Sequence, residues 1–405
     1  MSNIEDVNIQ WQDTGNIDAF GRARVSQVTT QYDSKQLHDN LPLFVDEELL
    51  GTATSVHDTD EANTTLSTLA ITDFAIAQTK QRFNYQSGKS QLIFMTATNF
   101  EVQTDVVKRM GYFSTLTTTP FEGKTDGLFF MSDGEISINI YKTGTLIEKT
   151  IQSAWNLDKL DGTGESGINI DWSKNIIFSI DFEWLGIGRV RWGVVVDGLF
   201  VYFHESLHAN VTTGVYMSSP NQPLRWEIRQ NGATAGTFKF ICASVNSEGS
   251  LNKLGKILSS NIGTSKINAN STSSKYAIIG MQLQASKVDT LVDVLTFSAM
   301  STTNDNFLWE LWWNPAVTGT FTYTAITSSA VAIAKGATGG SNTVSGGSLI
   351  DSGYGSKQTS IRESIETALR LGMEIDGTLD SIVLSVQPLS SGLDIYGSIT
   401  WRELV

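Results

Sequence analysis

Between Ile176 and Asn210 the chain dictates its own strand pairing. Phe178, Ile180, Phe182 and Trp184 alternate with Ser179, Asp181 and Glu183, the period of a strand with one buried face. Val190, Trp192, Val194 and Val196 repeat that alternation, with Arg189 and Arg191 on the opposite face. Asp197-Gly198 then supplies a two-residue type I′ turn. Such a turn sets Val196 against Leu199, Val194 against Val201 and Trp192 against Phe203. Keeping Phe182 and Ile180 on the same apolar face sets them against Val190 and Trp192, since a slip of one residue would turn every side chain over. Glu183 then lies across from Arg189 and Asp181 across from Arg191. These opposite charges support the register by about 0.2–1 kcal/mol a pair and read as a solvated sheet face.

A length of 405 residues exceeds what one core usually supports, so two domains are expected. With 19 Phe, 10 Trp and 10 Tyr and only 17% charged residues, a large core is available and wholesale disorder is not expected. The net charge of −14 argues against a nucleic-acid or anionic-membrane surface, because both require clustered Lys and Arg. No stretch approaches the ~20 apolar residues of a membrane span. The opening Met1-Ser2-Asn3-Ile4-Glu5-Asp6 lacks the basic and apolar regions of a signal peptide, so synthesis in the cytoplasm is expected. Cys242, the single cysteine, alternates within Phe238–Cys242 as a small core strand residue; it leaves no partner for an intrachain disulfide and no cysteine-based zinc site.

Along the chain, residues 1–45 are polar, with Gly15, Gly21 and Pro42 breaking any periodicity, and read as an extended arm. Residues 46–246 alternate strand-like runs with turn clusters such as Ser132-Asp133-Gly134, the spacing of an antiparallel sandwich. Residues 247–274, rich in Ser, Asn, Gly and Lys, read as a linker, and 275–405 as a second β-rich domain. Within the latter, the Gly/Ser-rich tract 336–348 reads as a long surface loop. Ser360-Ile361-Arg362-Glu363 has the form of a capping box opening a helix, although Leu369, Leu371 and Met373 also alternate as a strand would. The fold class expected is mainly β: two antiparallel sandwiches, jelly-roll or lectin-like, behind an N-terminal arm.

His204-Glu205-Ser206-Leu207-His208 is an H-E-x-x-H string, the form of a zinc hydrolase motif. That chemistry needs a helix, which projects both imidazoles from one face so that they share a metal while the glutamate activates water. Here the string continues the alternation of Leu199, Val201 and Phe203, and on a strand its histidines would stand roughly 13 Å apart at ~3.3 Å per residue. Val211 stands where a longer version of the motif has glycine, and only distance would select Glu227 or Glu248 as a third ligand. No metal or cofactor is therefore expected. Gly88-Lys89-Ser90 lacks the earlier glycine of a phosphate loop, Phe83 standing in its place. Gly186-Ile187-Gly188 suits a bend between strands better than a dinucleotide fingerprint. Trp309, Trp312 and Trp313, interleaved with Leu308 and Leu311, suit core packing, with a sugar-stacking platform as the functional alternative.

Several stretches resemble a family of virion structural proteins of tailed bacteriophages, marine ones especially. They are Asp18–Ser26, Tyr32–Lys35, Gln78–Gln91 (with Ser87 where the family pattern has proline), Trp155–Gly162, Asp181–Gly186 and Tyr216–Pro220. Together they span about residues 18 to 230, and the resemblance weakens beyond. It implies a non-enzymatic particle component located in the virion, with no established active-site residues. An arm bearing Phe20, Arg22 and Arg24 would then order on a neighbouring subunit during assembly. The expected partners are further copies of the chain, as a trimer or another cyclic oligomer, other virion proteins, and in the alternative reading of a fibre or adhesin module, host surface glycans.

Overall fold

Period-2 alternation is realised as strand nearly everywhere: among the described residues the only helical element is a 3₁₀ turn at Gln152–Ala154. The computed structural model describes residues 15–115, 125–364 and 369–404. It divides into one unit of residues 1–79 and 83–251 and a second of residues 80–82 and 252–405. Both are antiparallel and built from facing sheets.

The strands of the first unit are β1 (Val28–Ser34), β2 (Val45–Leu50), β3 (Thr54–Asp58), β4 (Asn63–Thr68), β5 (Phe74–Thr79), β6 (Gln91–Thr98), β7 (Val106–Thr115), β8 (Thr125–Ser132), β9 (Ile136–Lys142), β10 (Thr145–Ile151), β11 (Ile176–Phe182), β12 (Val190–Val196), β13 (Leu199–Ser206), β14 (Leu224–Gln230) and β15 (Gly236–Glu248). One sheet has the order β13-β12-β11-β6-β15-β4-β3, with β1 also paired to β15; the other has the order β10-β9-β8-β7-β14-β5-β2. Their inner faces share one core, in which Phe130 of β8 meets Phe178 of β11 at 5.0 Å and Trp192 of β12 at 5.3 Å. Aromatic pairs of this kind contribute roughly 0.5–1.5 kcal/mol each beyond their buried area.

The meander folds through Asp197 and Gly198, whose φ values of 50° and 81° are those a type I′ turn requires. Phe182 opposes Val190, Ile180 opposes Trp192 and Asp181 opposes Arg191, as the sequence predicts. Val196 opposes Leu199 and Val194 opposes Val201, but Trp192 opposes His204 rather than Phe203. A bulge leaves Phe203 unpaired, and this extra residue lets two successive side chains turn inward. Phe203 stacks on Trp155 at 3.9 Å, and His204 reaches Glu148 of the other sheet.

Two expectations for the first unit need correction. Asp181 and Arg191 do not lie on a solvated face: both are completely buried. What covers them is part of the segment expected as an extended arm, of which residues 1–14 lie outside the described residues. From residue 15 on it belongs to the first unit, with Ile17, Asp18 and Ala19 buried and β1 laid along β15. The reason is polar satisfaction, since a charged sheet face needs either water or fixed partners. Arg191 Nη2 donates to the Ile17 carbonyl at 2.5 Å and Arg189 Nε to that of Ala19 at 3.0 Å.

In the second unit one sheet runs Gly255–Asn261, Leu393–Leu404, Leu291–Ser301, Ser360–Ser364, with Ile267–Ala269 also on Leu393–Leu404. The other runs Thr324–Ala325, Val331–Lys335, Tyr276–Leu283, Ser381–Pro388, Phe307–Trp313, Ser348–Gly355. The stretch read as a linker, 247–274, thus contains two paired strands, and the division between units falls inside it, at Leu251 and Asn252. Ser360–Ser364 is a strand and not the start of a helix: it completes the free edge of Leu291–Ser301, and Leu371 enters the core; residues 365–368 lie outside the described residues. The Gly/Ser-rich tract is pinned more firmly than a surface loop. Buried Asn342 donates through Nδ2 to the carbonyls of Thr318 and Thr320 and accepts the Ala337 N–H, while Val344–Ser345 pairs with Ala316–Val317.

Candidate functional site

The H-E-x-x-H string lies on β13 and the turn after it, and its groups serve separate structural tasks. His204 accepts the Asn156 N–H at Nδ1 (3.3 Å), so Nε2 carries the proton donated to Glu148 Oε1 at 2.9 Å. The bond joins the edge strands of the two sheets. Burial would raise the Glu148 carboxyl, but hydrogen bonds from His204, Ser206 and Thr150 hold it below the usual range. His208 donates from Nδ1 to the Gly188 carbonyl at 2.8 Å and stacks on Tyr216 at 4.3 Å; burial lowers its pKa and keeps it neutral. Glu205 turns away to Arg189 at 3.2 Å. Among the described residues no group of three or more His, Cys, Asp or Glu side chains is placed to hold a metal.

Phe20, Arg22 and Arg24 contact their own unit. Arg22 pairs with Asp18 at 2.6 Å over the Phe20 ring, and Arg24 bridges Asp181 and Glu248. Asp181 is the hub: it accepts from Ser90 Oγ at 2.6 Å, Tyr202 Oη at 2.7 Å, Arg24 Nη2 at 2.5 Å and Arg191. Burial and the adjacent Asp181 charge push the Tyr202 phenol far above its ordinary range. Ser90 of Gly88-Lys89-Ser90 therefore serves this cluster, and Gly186-Ile187-Gly188 forms the bend between β11 and β12, closed by the Gly188 N–H on the Trp184 carbonyl at 2.8 Å. Cys242, expected in the core, lies half-buried, because the bulge of β15 gives the inward place to Ala243.

The tryptophans do not form a platform. Strand alternation sends Trp309 and Trp313 into the core of the second unit, Trp309 meeting Phe297 at 4.7 Å. Trp312 lies on the opposite face, packed against the small cluster of Ala277, Val344 and Val383. Its Nε1 donates to Ser385 Oγ at 3.1 Å, and the Lys275 ammonium sits 4.3 Å from its ring.

An open site lies elsewhere, on the outer face of the eight-stranded sheet. Here a cleft of about 460 Å³ is lined by Glu61, Asn63, Thr98, Asn99, Asn175, Lys239 and Ile241. Alternation builds it: Phe238 and Phe240 enter the core, so Lys239 between them points outward, and Thr98 does the same beside buried Ala97. Ile241 follows Lys239 on that outward face, and the bulge between Phe240 and Ala243 breaks the ladder beside it, bringing Ala243 in place of Cys242 into the core. Glu61, from the turn before β4, accepts Lys239 Nζ at 2.7 Å and Asn63 Nδ2 at 2.8 Å, and these bonds hold its carboxyl below the usual range. Asn99, at φ 59°, donates to Thr237 Oγ1 at 3.2 Å.

Beneath the cleft, fully buried Lys108 donates to the carbonyls of Asn99 and Glu101, and Ser132 Oγ also donates to Glu101 at 3.1 Å. These bonds fix the backbone of the turn that carries Asn99. The cleft falls within the roughly 300–1,000 Å³ of ordinary small-ligand sites, and its lining carries amide, hydroxyl, carboxylate and ammonium groups without an aromatic ring. Sequence reasoning missed it, because its lining comes from four separate stretches, each unremarkable alone. The available signal was the alternation of outward Thr237 and Lys239 with core Phe238 and Phe240 in β15.

No family model matches the chain, and no curated protein matches it. Similar solved structures include the Bacillus licheniformis β-glucanase, at 12% identity and a TM-score of 0.34, covering 53% of this chain and 96% of that one. The carbohydrate recognition domain of Emp47p shows 11% identity and a TM-score of 0.35, over 55% of this chain and 98% of that one. A legume lectin-like domain from Entamoeba histolytica shows 9% identity and a TM-score of 0.34, over 56% of this chain and 100% of that one. At this level the likeness concerns the β-sandwich scaffold, and no residue role is carried across.

Proposed function

We propose that this chain is a non-catalytic binding protein that takes a saccharide in the cleft around Glu61 and Lys239. The observation that carries the reading is the lining itself: an amide-rich array of donors and acceptors backed by a buried lysine, open on a sheet face. Hydroxyl-rich ligands need this mixture, because each hydroxyl both donates and accepts. Binding is favoured over hydrolysis because Glu61 is the one carboxylate among the lining residues, whereas glycoside hydrolysis generally uses two, about 5–9.5 Å apart. A glycan panel followed by titration calorimetry tests it. Asn63→Ala and Lys239→Ala should each abolish binding while the thermal melt stays within a few degrees; retained binding in both would refute it.

A second reading, that the protein is a virion component of a tailed bacteriophage, is supported by how the stretches that carry the resemblance converge. Arg24, Ser90 and Asp181 share one cluster. The Trp184 N–H donates to Tyr85 Oη at 2.9 Å, Tyr216 Oη donates to the Glu183 carbonyl at 3.0 Å, and Trp184 Nε1 to that of Met217 at 3.1 Å. Such residues are framework, which agrees with a family defined by scaffold and not by chemistry. The two readings are compatible in a particle protein that meets host glycans. Peptides of this chain in purified particles, with a trimer in solution by light scattering, are the expected results; absence from particles would refute the virion reading.

A further inference from the structure

The cleft carries a charge arrangement that bears on which saccharide enters. Lys239 is the only cation in the lining, and it is already neutralised, its Nζ 2.7 Å from Glu61 Oε2. We infer that the cleft selects neutral saccharides bearing adjacent hydroxyls and rejects anionic ones, with the Glu61–Lys239 pair as the selecting element. This rests on the glycan-binding reading given above.

The argument is one of matching donors to acceptors. After bonding to Glu61, the Lys239 ammonium keeps further N–H groups, and Glu61 keeps its second oxygen. A charged donor thus stands beside a charged acceptor, both partly open to solvent, with side-chain exposures of 30% and 56%. Adjacent hydroxyls of a sugar fit this pair: one accepts from Lys239 while its neighbour donates to Glu61, and charge assistance strengthens both bonds. A sugar carboxylate or sulfate has only acceptor oxygens. It would approach Lys239 only by placing its charge against Glu61, with no proton to offer it. The net charge of −14 adds repulsion at longer range. The uncharged part of the lining favours neither class, since Asn99, Asn175 and Thr98 present amides and a hydroxyl.

The test compares neutral hexose oligosaccharides with sialylated and uronate-containing ones of equal length, by titration against the full chain at 0.15 M salt. Neutral ligands should bind at least about tenfold more tightly. Glu61→Gln keeps the shape and removes the opposing charge, so it should narrow or invert that ratio by about tenfold; Lys239→Met should weaken both classes. Thermal melts establish that the variants fold. Anionic sugars bound as tightly as neutral ones, or a ratio unmoved in Glu61→Gln, would overturn the selectivity and leave glycan binding standing. Failure of every saccharide of both classes would overturn the glycan reading itself, and the selectivity with it.

Discussion

Replacing Asp181 by alanine removes the acceptor that Ser90, Tyr202, Arg24 and Arg191 share. Arg191 cannot escape to water, because it is completely buried, lying 4.0 Å from the Tyr202 ring under the Ile17 carbonyl. Breaking a buried ion pair from one side generally costs roughly 3–5 kcal/mol, the penalty of the charge left behind. Arg24→Ala is gentler. Asp181 keeps three donors, and Glu248 loses an ion pair that is only partly enclosed, so roughly 1–3 kcal/mol is expected, the range for a charge-assisted bond. Because the two residues touch, the double variant should cost less than the sum of the single ones. Urea denaturation followed by tryptophan fluorescence measures the totals. Hydrogen exchange on peptides covering 15–34 and 176–206 assigns the loss to this unit. If Asp181→Ala costs under about 1 kcal/mol, or if 15–24 stays protected in Arg24→Ala, the argument that ion pairing holds this segment down is wrong.

Other outcomes follow from local geometry. Gly198→Ala meets no atom within 4 Å but keeps a φ of 81°, so it should cost about 1–2 kcal/mol by backbone strain alone, read by denaturant midpoint. Trp309→Ala should destabilise the second unit by roughly 3–5 kcal/mol and Trp312→Ala by clearly less, as calorimetry of the two variants would show. Burial raises the Asp380 carboxyl to about 6, against lowering by the Asn314 and Gly372 hydrogen bonds and the Lys80 charge. The folded state therefore holds this proton more tightly than the unfolded chain. Its contribution to stability is full below the ordinary carboxylate range and falls as pH rises toward about 6, by on the order of 3 kcal/mol, a slope that Asp380→Asn should remove in pH-dependent unfolding.

How far the sequence carried depended on whether a signal was local. The pairing of β11 with β12 was legible because alternation and opposite charges agreed within a few residues, and the Asp197-Gly198 turn fixed what followed. The bulge at Phe203 was not, since it answers to Trp155 and Glu148 on other elements. Nor was the burial of Asp181: a charged face looks the same in sequence whether water or a segment far upstream covers it. At Ser360 the capping-box pattern lost to an open sheet edge, which propensity cannot register. The cleft was least legible, because Glu61, Asn99, Asn175 and Lys239 meet only once the sheet is complete.

The position of β15 has a consequence for synthesis. It is the last strand of its sheet to emerge from the ribosome, yet it lies between β6 and β4 and carries β1 as well. Until Glu248 is made, the sheet exists as disconnected parts, and Arg24, translated 224 residues earlier, lacks one of its two anchors. At about 5–20 residues per second the nascent chain waits roughly 10–45 s in that condition, with unpaired edges that neighbouring polypeptides could capture.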